Sequence, residues 1–200
     1  MKTLNEKSTV KVEGHVVIKD VDTGEILLDK YNAINFQLFA YAVAKALADQ
    51  TNSSSDGYNI SKLAFGYGGT TIDVSGNVTY KDAKVDGTAT TGLYNASQDN
   101  SVSPAVDLAV AVTEFTVNNA TNQPYSDLEC KTVLDYAFPA DALATDNAGS
   151  FDTAGNFVFD EIALITEAGT YLTHLIFHPI QKSKNRKLEI LYTLRIRAGV

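Results

Sequence analysis

Tryptophan is absent from this chain of 200 residues, and cysteine occurs once, at Cys130. A lone cysteine closes no internal disulfide and offers no paired spacing for zinc. The chain therefore reads as one made in a reducing cytoplasm, with Cys130 a small buried apolar residue. Long apolar runs are missing as well. None is long enough to cross a bilayer, and Met1 to Ser8 is polar and charged, without the apolar core of a secretory signal. Neither a membrane partner nor that export route is expected. Basic charge is short: 16 Lys and Arg stand against 24 Asp and Glu, a net charge of -8 with a pI near 4.8. Neutralising phosphates needs clustered Lys and Arg, so nucleic acid is not an expected partner.

What the chain does have is 44% hydrophobic residues, enough for one domain over residues 1–200 to build a core without metal or disulfide staples. Its clearest pattern lies between Phe157 and Arg197. Leu188, Ile190, Tyr192, Leu194 and Ile196 alternate with Glu189, Leu191, Thr193, Arg195 and Arg197, and a period of two places the first set on one buried face. Phe157 to Thr166 and Tyr171 to His178 read as two further strands joined through Gly169, which supplies a positive φ. Pro179 is expected to end the second of them, and the three strands to form a meander.

Earlier in the chain, Val10 to Asp20 alternates as a strand, Val21 to Gly24 is a turn, and Glu25 to Lys30 returns as its hairpin partner. Tyr31 to Asn35 breaks that pattern. Phe36, Phe39, Ala40, Val43 and Leu47 then fall on one helical stripe, predicting a helix from about Asn35 to Asp49 packed on a sheet. Thr51 to Gly57 is a surface loop, and Ile60 to Tyr67 a strand. From about 70 to 107 the chain is rich in Thr, Asn, Gly and Asp and reads as a long loop-rich excursion with short β pieces, of the kind that makes contacts. Strand character resumes at Leu108 to Val117 and Leu128 to Phe138. The expected fold is mainly β, with β-sandwich-like antiparallel sheets and one α-helix laid against a sheet.

No residue set stands out as catalytic. Gly66-Tyr67-Gly68-Gly69-Thr70 follows a strand but lacks the Gly-Lys-Ser/Thr ending of a phosphate loop, and a glycine turn explains it. Asp20, Asp22 and Gly24 open like a calcium loop, yet the later ligand positions are wrong. His174 and His178 share a strand face, but residues four apart on a strand are separated by roughly 13 Å, too far to hold one ion easily even with His15. Asp160 and Glu161 point to opposite faces of a strand, which disfavours a paired-carboxylate site. The sequons at Asn52, Asn59, Asn77, Asn95 and Asn119 are ordinary loop composition in a chain that is not exported. The reading is no enzyme, no metal and no cofactor.

Two groups of segments stand out together. The first is Val12-Glu13-Gly14-His15, Asp22-Thr23-Gly24-Glu25, Asp29-Lys30-Tyr31-Asn32-Ala33-Ile34 and Phe65-Gly66-Tyr67-Gly68-Gly69. The second is Phe159-Asp160-Glu161-Ile162-Ala163-Leu164, Leu172-Thr173-His174, Phe177-His178-Pro179 and Leu188 to Arg197. Together they resemble virion structural proteins of tailed bacteriophages, contractile-tailed ones above all. A related pattern in tail and fibre-attachment proteins has Gly where this chain has Ala163. The match covers roughly 10 to 70 and 157 to 197 and leaves the centre unmatched. It implies a non-enzymatic subunit of the tail, baseplate or neck, made in a bacterial host's cytoplasm and built into a ring or trimer of its own copies beside other virion proteins. The competing classes are a receptor- or glycan-binding β-sandwich, with Tyr58, Tyr67, Tyr80 and Tyr94 as a platform, and a capsid decoration protein.

Charge is split along the chain. Lys182, Lys184, Arg186, Lys187, Arg195 and Arg197 give the segment from Gln181 onward a local +5, against about -13 in residues 1–180. Such a split suits subunits packed head to tail, and these six residues are the expected oligomer contacts.

Overall fold

A computed structural model describes residues 9–35, 39, 43, 57, 59–84, 92–96, 98–99, 106–119, 125–136, 157–183 and 185–199. They form β1 (Thr9–Asp20), β2 (Ile26–Ile34), β3 (Ile60–Tyr67), β4 (Thr70–Ile72), β5 (Val78–Tyr80), β6 (Asn95–Ala96), β7 (Gln98–Asp99), β8 (Val106–Asp107), β9 (Ala109–Ala111), β10 (Glu114–Asn119), β11 (Tyr125–Leu134), β12 (Phe157–Thr166), β13 (Thr173–Lys182) and β14 (Leu188–Gly199). The chain is mainly β and its ladders are antiparallel. The main sheet runs β10-β11-β14-β1-β2-β13-β12-β3-β6, with β9 also on β3; β4-β5 and β7-β8 are separate two-stranded ribbons.

The hairpin of β1 and β2 forms as its alternation predicts, with Val12, Val16 and Ile18 buried while Lys11 and Lys19 stay in water. β2 does not stop at Lys30 but continues to Ile34, because Ala33 and Ile34 find partners in His174 and Thr173 of β13. Among the described residues those are the two ladder pairs between the β1 side of the sheet and the β12 side.

The meander is only half right. β12 and β13 pair, and Gly169 in their connection has φ 82 as expected. β14, however, lies between β1 and β11, paired with each along ten or more residues, and does not touch β13 as a sheet neighbour. Both of its edges are taken, so its apolar face meets β13 across the core; the Tyr192 hydroxyl donates to Thr173 Oγ1 at 2.7 Å. Pro179 likewise sits inside β13 rather than ending it. Phe159 pairs with Ile180 and Glu161 with Ile176, so the register slips around Asp160 opposite Phe177, His178 and Pro179. A bulge is where a residue without an N–H is tolerated in a ladder.

The core draws from both sides of the sheet. Leu188, Ile190, Tyr192 and Leu194 of β14 and Val16 and Ile18 of β1 are gathered with Leu63, Phe65, Phe159, Ile162, Leu164 and Phe177. Phe159 stands edge-on to Phe65 at 5.3 Å and to Phe177 at 5.7 Å. β12 is buried on both faces: Ala163 and Ile165 face away from that core into a second cluster with Ala64 and Leu93. This explains a continuous apolar run in place of alternation. The two ends of the sheet are joined by one stretch of chain, since β9 lies on β3 and, two residues on, β10 lies on β11. The passage is held by Val112 N–H to the Ser61 carbonyl and Thr113 N–H to the Lys131 carbonyl, both 2.8 Å.

Almost all of the expected Asn35 to Asp49 helix, Phe36 and Leu47 included, lies outside the described residues, and no helix is among the elements given above. Phe39 is buried in the core, and its N–H donates to the Asn35 carbonyl at 2.8 Å. Val43, expected on the packed face, is exposed.

Replacing Phe39 by Asp should cost about 3 kcal/mol or more by placing an unpaired carboxylate in the core; an unchanged thermal melt would count against its packing. Asp20 gives a second test. Its buried carboxylate accepts the Thr23 and Asp22 amides at 3.0 Å and pairs with Arg186, and these bonds, Thr23's first, hold its pKa at about 2. A depressed folded pKa means that the stabilisation is fully present above the unfolded value of about 4 and is lost as pH falls toward 2. Asp20→Asn should lower stability at pH 7 and flatten the acid-unfolding profile in that window, measured by denaturant titration at several pH values.

Candidate functional site

Opposite the bulge of β13, β12 carries two adjacent carboxylates inside the protein, Asp160 4% exposed and Glu161 fully buried. They hold different segments. Asp160 accepts the amides of Gly69 (3.2 Å) and Thr70 (2.8 Å) and the Thr70 hydroxyl (2.5 Å). Burial pushes its carboxyl above the usual range, against the downward pull of those three bonds. Glu161 accepts the amides of Tyr94 (2.7 Å) and Asn95 (3.4 Å) and lies 2.9 Å from His174 Nε2.

His174 completes the network. Its Nδ1 accepts the Lys84 amide at 2.8 Å, so the proton sits on Nε2 and is donated to Glu161. Next to it, Thr173 Oγ1 accepts the Leu164 amide at 2.9 Å and the Tyr192 hydroxyl. Gly69 packs so closely that a Cβ there would lie 2.8 Å from the Glu161 side chain and 2.9 Å from Ile176, so a larger residue would force one of them to shift. A carboxylate against an imidazole is also the arrangement that orients a general base. Here both ring nitrogens and the carboxylate are already committed to protein partners, chiefly main-chain amides. The chemistry this arrangement performs is to anchor backbone.

The six expected interface cations are placed as follows. Lys182 is fully buried, its ammonium donating to the carbonyls of Ser183 (3.0 Å) and Tyr136 (3.4 Å), and desolvation brings its pKa down to about 8. It does not project beyond the sheet. Lys184 lies outside the described residues. Arg186 pairs with Asp20 and donates to the Gln181 carbonyl. Lys187 is 3.4 Å from Asp135. Arg195 makes two 2.7 Å bonds to Asp127 and stacks on Tyr125; Arg197 is 3.4 Å from Glu13. The Asp127 carboxyl is held low by that bidentate arginine. Four of the six, Arg186, Lys187, Arg195 and Arg197, are thus met by acids within the same chain.

The remaining candidates are not brought together. His15 is 2.7 Å from Asp29, His174 is buried as described, and His178 is exposed. Among the described residues no group of three or more His, Cys, Asp or Glu is placed to hold a metal ion. Tyr58 lies outside them, Tyr80 is exposed with Lys30 over its ring, and Tyr94 carries the ammoniums of both Lys81 and Lys84 on its ring at 4.3 and 4.2 Å. Sequence reasoning quoted Glu161 and His174 in separate motifs but did not pair them. Their shared signal was polar residues inside otherwise apolar strands. No protein-family model, curated protein or solved structure matches the chain.

Glu161→Ala should cost about 3 kcal/mol by leaving the Tyr94 and Asn95 amides and His174 without their acceptor. With His174→Ala, a double-mutant cycle read from denaturant melts should give a coupling of about 1–3 kcal/mol. Additive losses would mean that the pair acts separately.

Proposed function

We propose that this chain is a non-enzymatic structural subunit of a tailed-bacteriophage particle, in the tail, baseplate or neck, working as a symmetric assembly of its own copies in contact with other virion proteins. One observation carries this reading. The segments with the resemblance, roughly 10 to 70 and 157 to 197, supply β14, β1, β2, β13, β12 and β3, which are consecutive neighbours in the sheet. The unmatched centre supplies the flanks, β10 and β11 at one end and β6 and β9 at the other. The resemblance thus falls on one continuous body of structure, and its polar residues are spent on fixing backbone, as an architectural role requires. In the same reading residues 1–200 are one domain, a β-sandwich with the helix after Asn35 packed on a sheet, and the mature location is the virion. The glycan-binding alternative is disfavoured at Tyr94, whose ring already carries two ammoniums; stacking on a sugar needs a free face.

Peptide mass spectrometry of purified virions, with the solution mass of the isolated chain, tests the proposal. The expected result is the chain present in intact particles at a copy number set by a ring or trimer. A chain confined to the lysate and missing from particles would overturn it, and a monomer retained on a glycan array would favour the alternative.

A further inference from the structure

The sheet ends at β10, which pairs with β11 and with no other strand among the described residues. Among the described residues its outer edge is a row of backbone N–H and C=O groups without a ladder partner. Edge strands are normally blunted by Lys, Pro, a bulge or brevity, because an open edge is a template for another strand. Residues Glu114–Asn119 have none of these protections: the register with β11 is unbroken, and Glu114 is the only charge. Phe115 is 49% exposed and Val117 69%. Both stand on the face that continues inward through Cys130 and Tyr192, so β10 extends the core layer beyond the point where the chain covers it. The stretch of β2 with no second strand partner differs, since it presents the charged Asp29 and Lys30.

We propose that β10 is a self-pairing edge, on which β10 of a second copy adds antiparallel about a two-fold axis through Thr116. Strand geometry narrows the register. Outward N–H and C=O groups belong to alternate residues, so outward groups of one copy meet those of the other only if the axis passes through a residue and not between two. At Thr116, Phe115 stands opposite the partner's Val117, Thr116 opposite the partner's Thr116, and Glu114 opposite the partner's Asn118. The exposed apolar pair becomes a cross-strand pair, a Thr–Thr pair forms, and the lone charge is kept from facing itself. The interface is isologous. One strand pair is smaller than the roughly 1,000 Å² expected of a stable complex, so covalent trapping is a better probe than mass alone. The inference does not rest on the phage reading: a chain missing from virions would leave it standing, and failed pairing would leave that reading standing.

In the full-length chain, Thr116→Cys should form a disulfide-linked dimer under mild oxidation at least tenfold faster than Asn118→Cys, whose counterparts would sit ~13 Å apart along the strands. Cys130 is buried, with its thiol pushed up to about 12, and stays out of the reaction. Adding Phe115→Thr and Val117→Thr to the Thr116→Cys chain keeps strand-forming residues and should slow cross-linking at least tenfold with an unchanged circular dichroism spectrum. Equal rates for the two cysteine variants, or no slowing by the threonines, would overturn the proposal.

Discussion

A carboxylate taken out of water must find donors or give up its charge, and Asp160 with Glu161 imposes that constraint twice at adjacent positions. The donors come from far along the chain: Gly69 and Thr70 for one, Tyr94, Asn95 and His174 for the other. This accounts for how the Gly69–Thr70 and Tyr94–Asn95 stretches of a Thr-, Asn- and Gly-rich excursion are held. Among its described residues Leu93 is the buried apolar anchor. The main-chain amides of those stretches are drawn onto β12 and β13 by groups that cannot be left unpaired. Removing a buried acceptor costs more than making the bond gains, so the network specifies where the excursion lies more strongly than its net stabilisation suggests.

The same reasoning separates two kinds of charge. In the sequence, six cations against one acid after Gln181 look like an uncompensated basic patch. The sheet undoes this by bringing β14 beside β1 and β11, so that Arg195 meets Asp127 and Arg197 meets Glu13, while the loop before β14 carries Arg186 to Asp20 and Lys187 to Asp135. Linear charge bookkeeping fails in a β protein because strand neighbours are distant in sequence. Pairs such as Lys187 with Asp135 lie at the surface and are worth little. Asp20 differs, being buried with two turn amides as well as its arginine.

Period-two alternation was legible wherever one face is core and the other water. That is why β1 and β14 were readable almost residue by residue; β3 and β12, buried on both faces, were recovered instead as apolar runs, with the bounds Ile60–Tyr67 and Phe157–Thr166. Strand order was not legible. Nothing local in Leu188 to Arg197 says that its neighbours are β1 and β11, because pairing is decided by distant segments competing for two edges. The continuation of β2 to Ile34 was hidden in part for the same reason: Tyr31 and Asn32 extend the hairpin against His15 and Gly14, but Ala33 and Ile34 pair with His174 and Thr173, which lie elsewhere in the chain. Pro179 misled because a local rule, that proline ends strands, yields to a bulge visible only from the partner strand.

These points meet in the way the sheet is closed. β14 has both edges paired and β12 both faces covered; they are the fixed elements of the two sides. Between them β2 and β13 meet at only two residue pairs, too few to set the relative position of the sides by laddering alone. What fixes it is the packing of Tyr192 and its neighbours against Phe159 and Phe177, the Tyr192–Thr173 bond, and the stretch of chain from β9 to β10 that ties the far ends together. That last tie has a geometric consequence. A chain that leaves β3 to reach β11 can satisfy one edge at each end of its path, and among the described residues it arrives at β11 with its other edge unpaired. The open edge at β10 is thus a by-product of the path that ties the two ends of the sheet together.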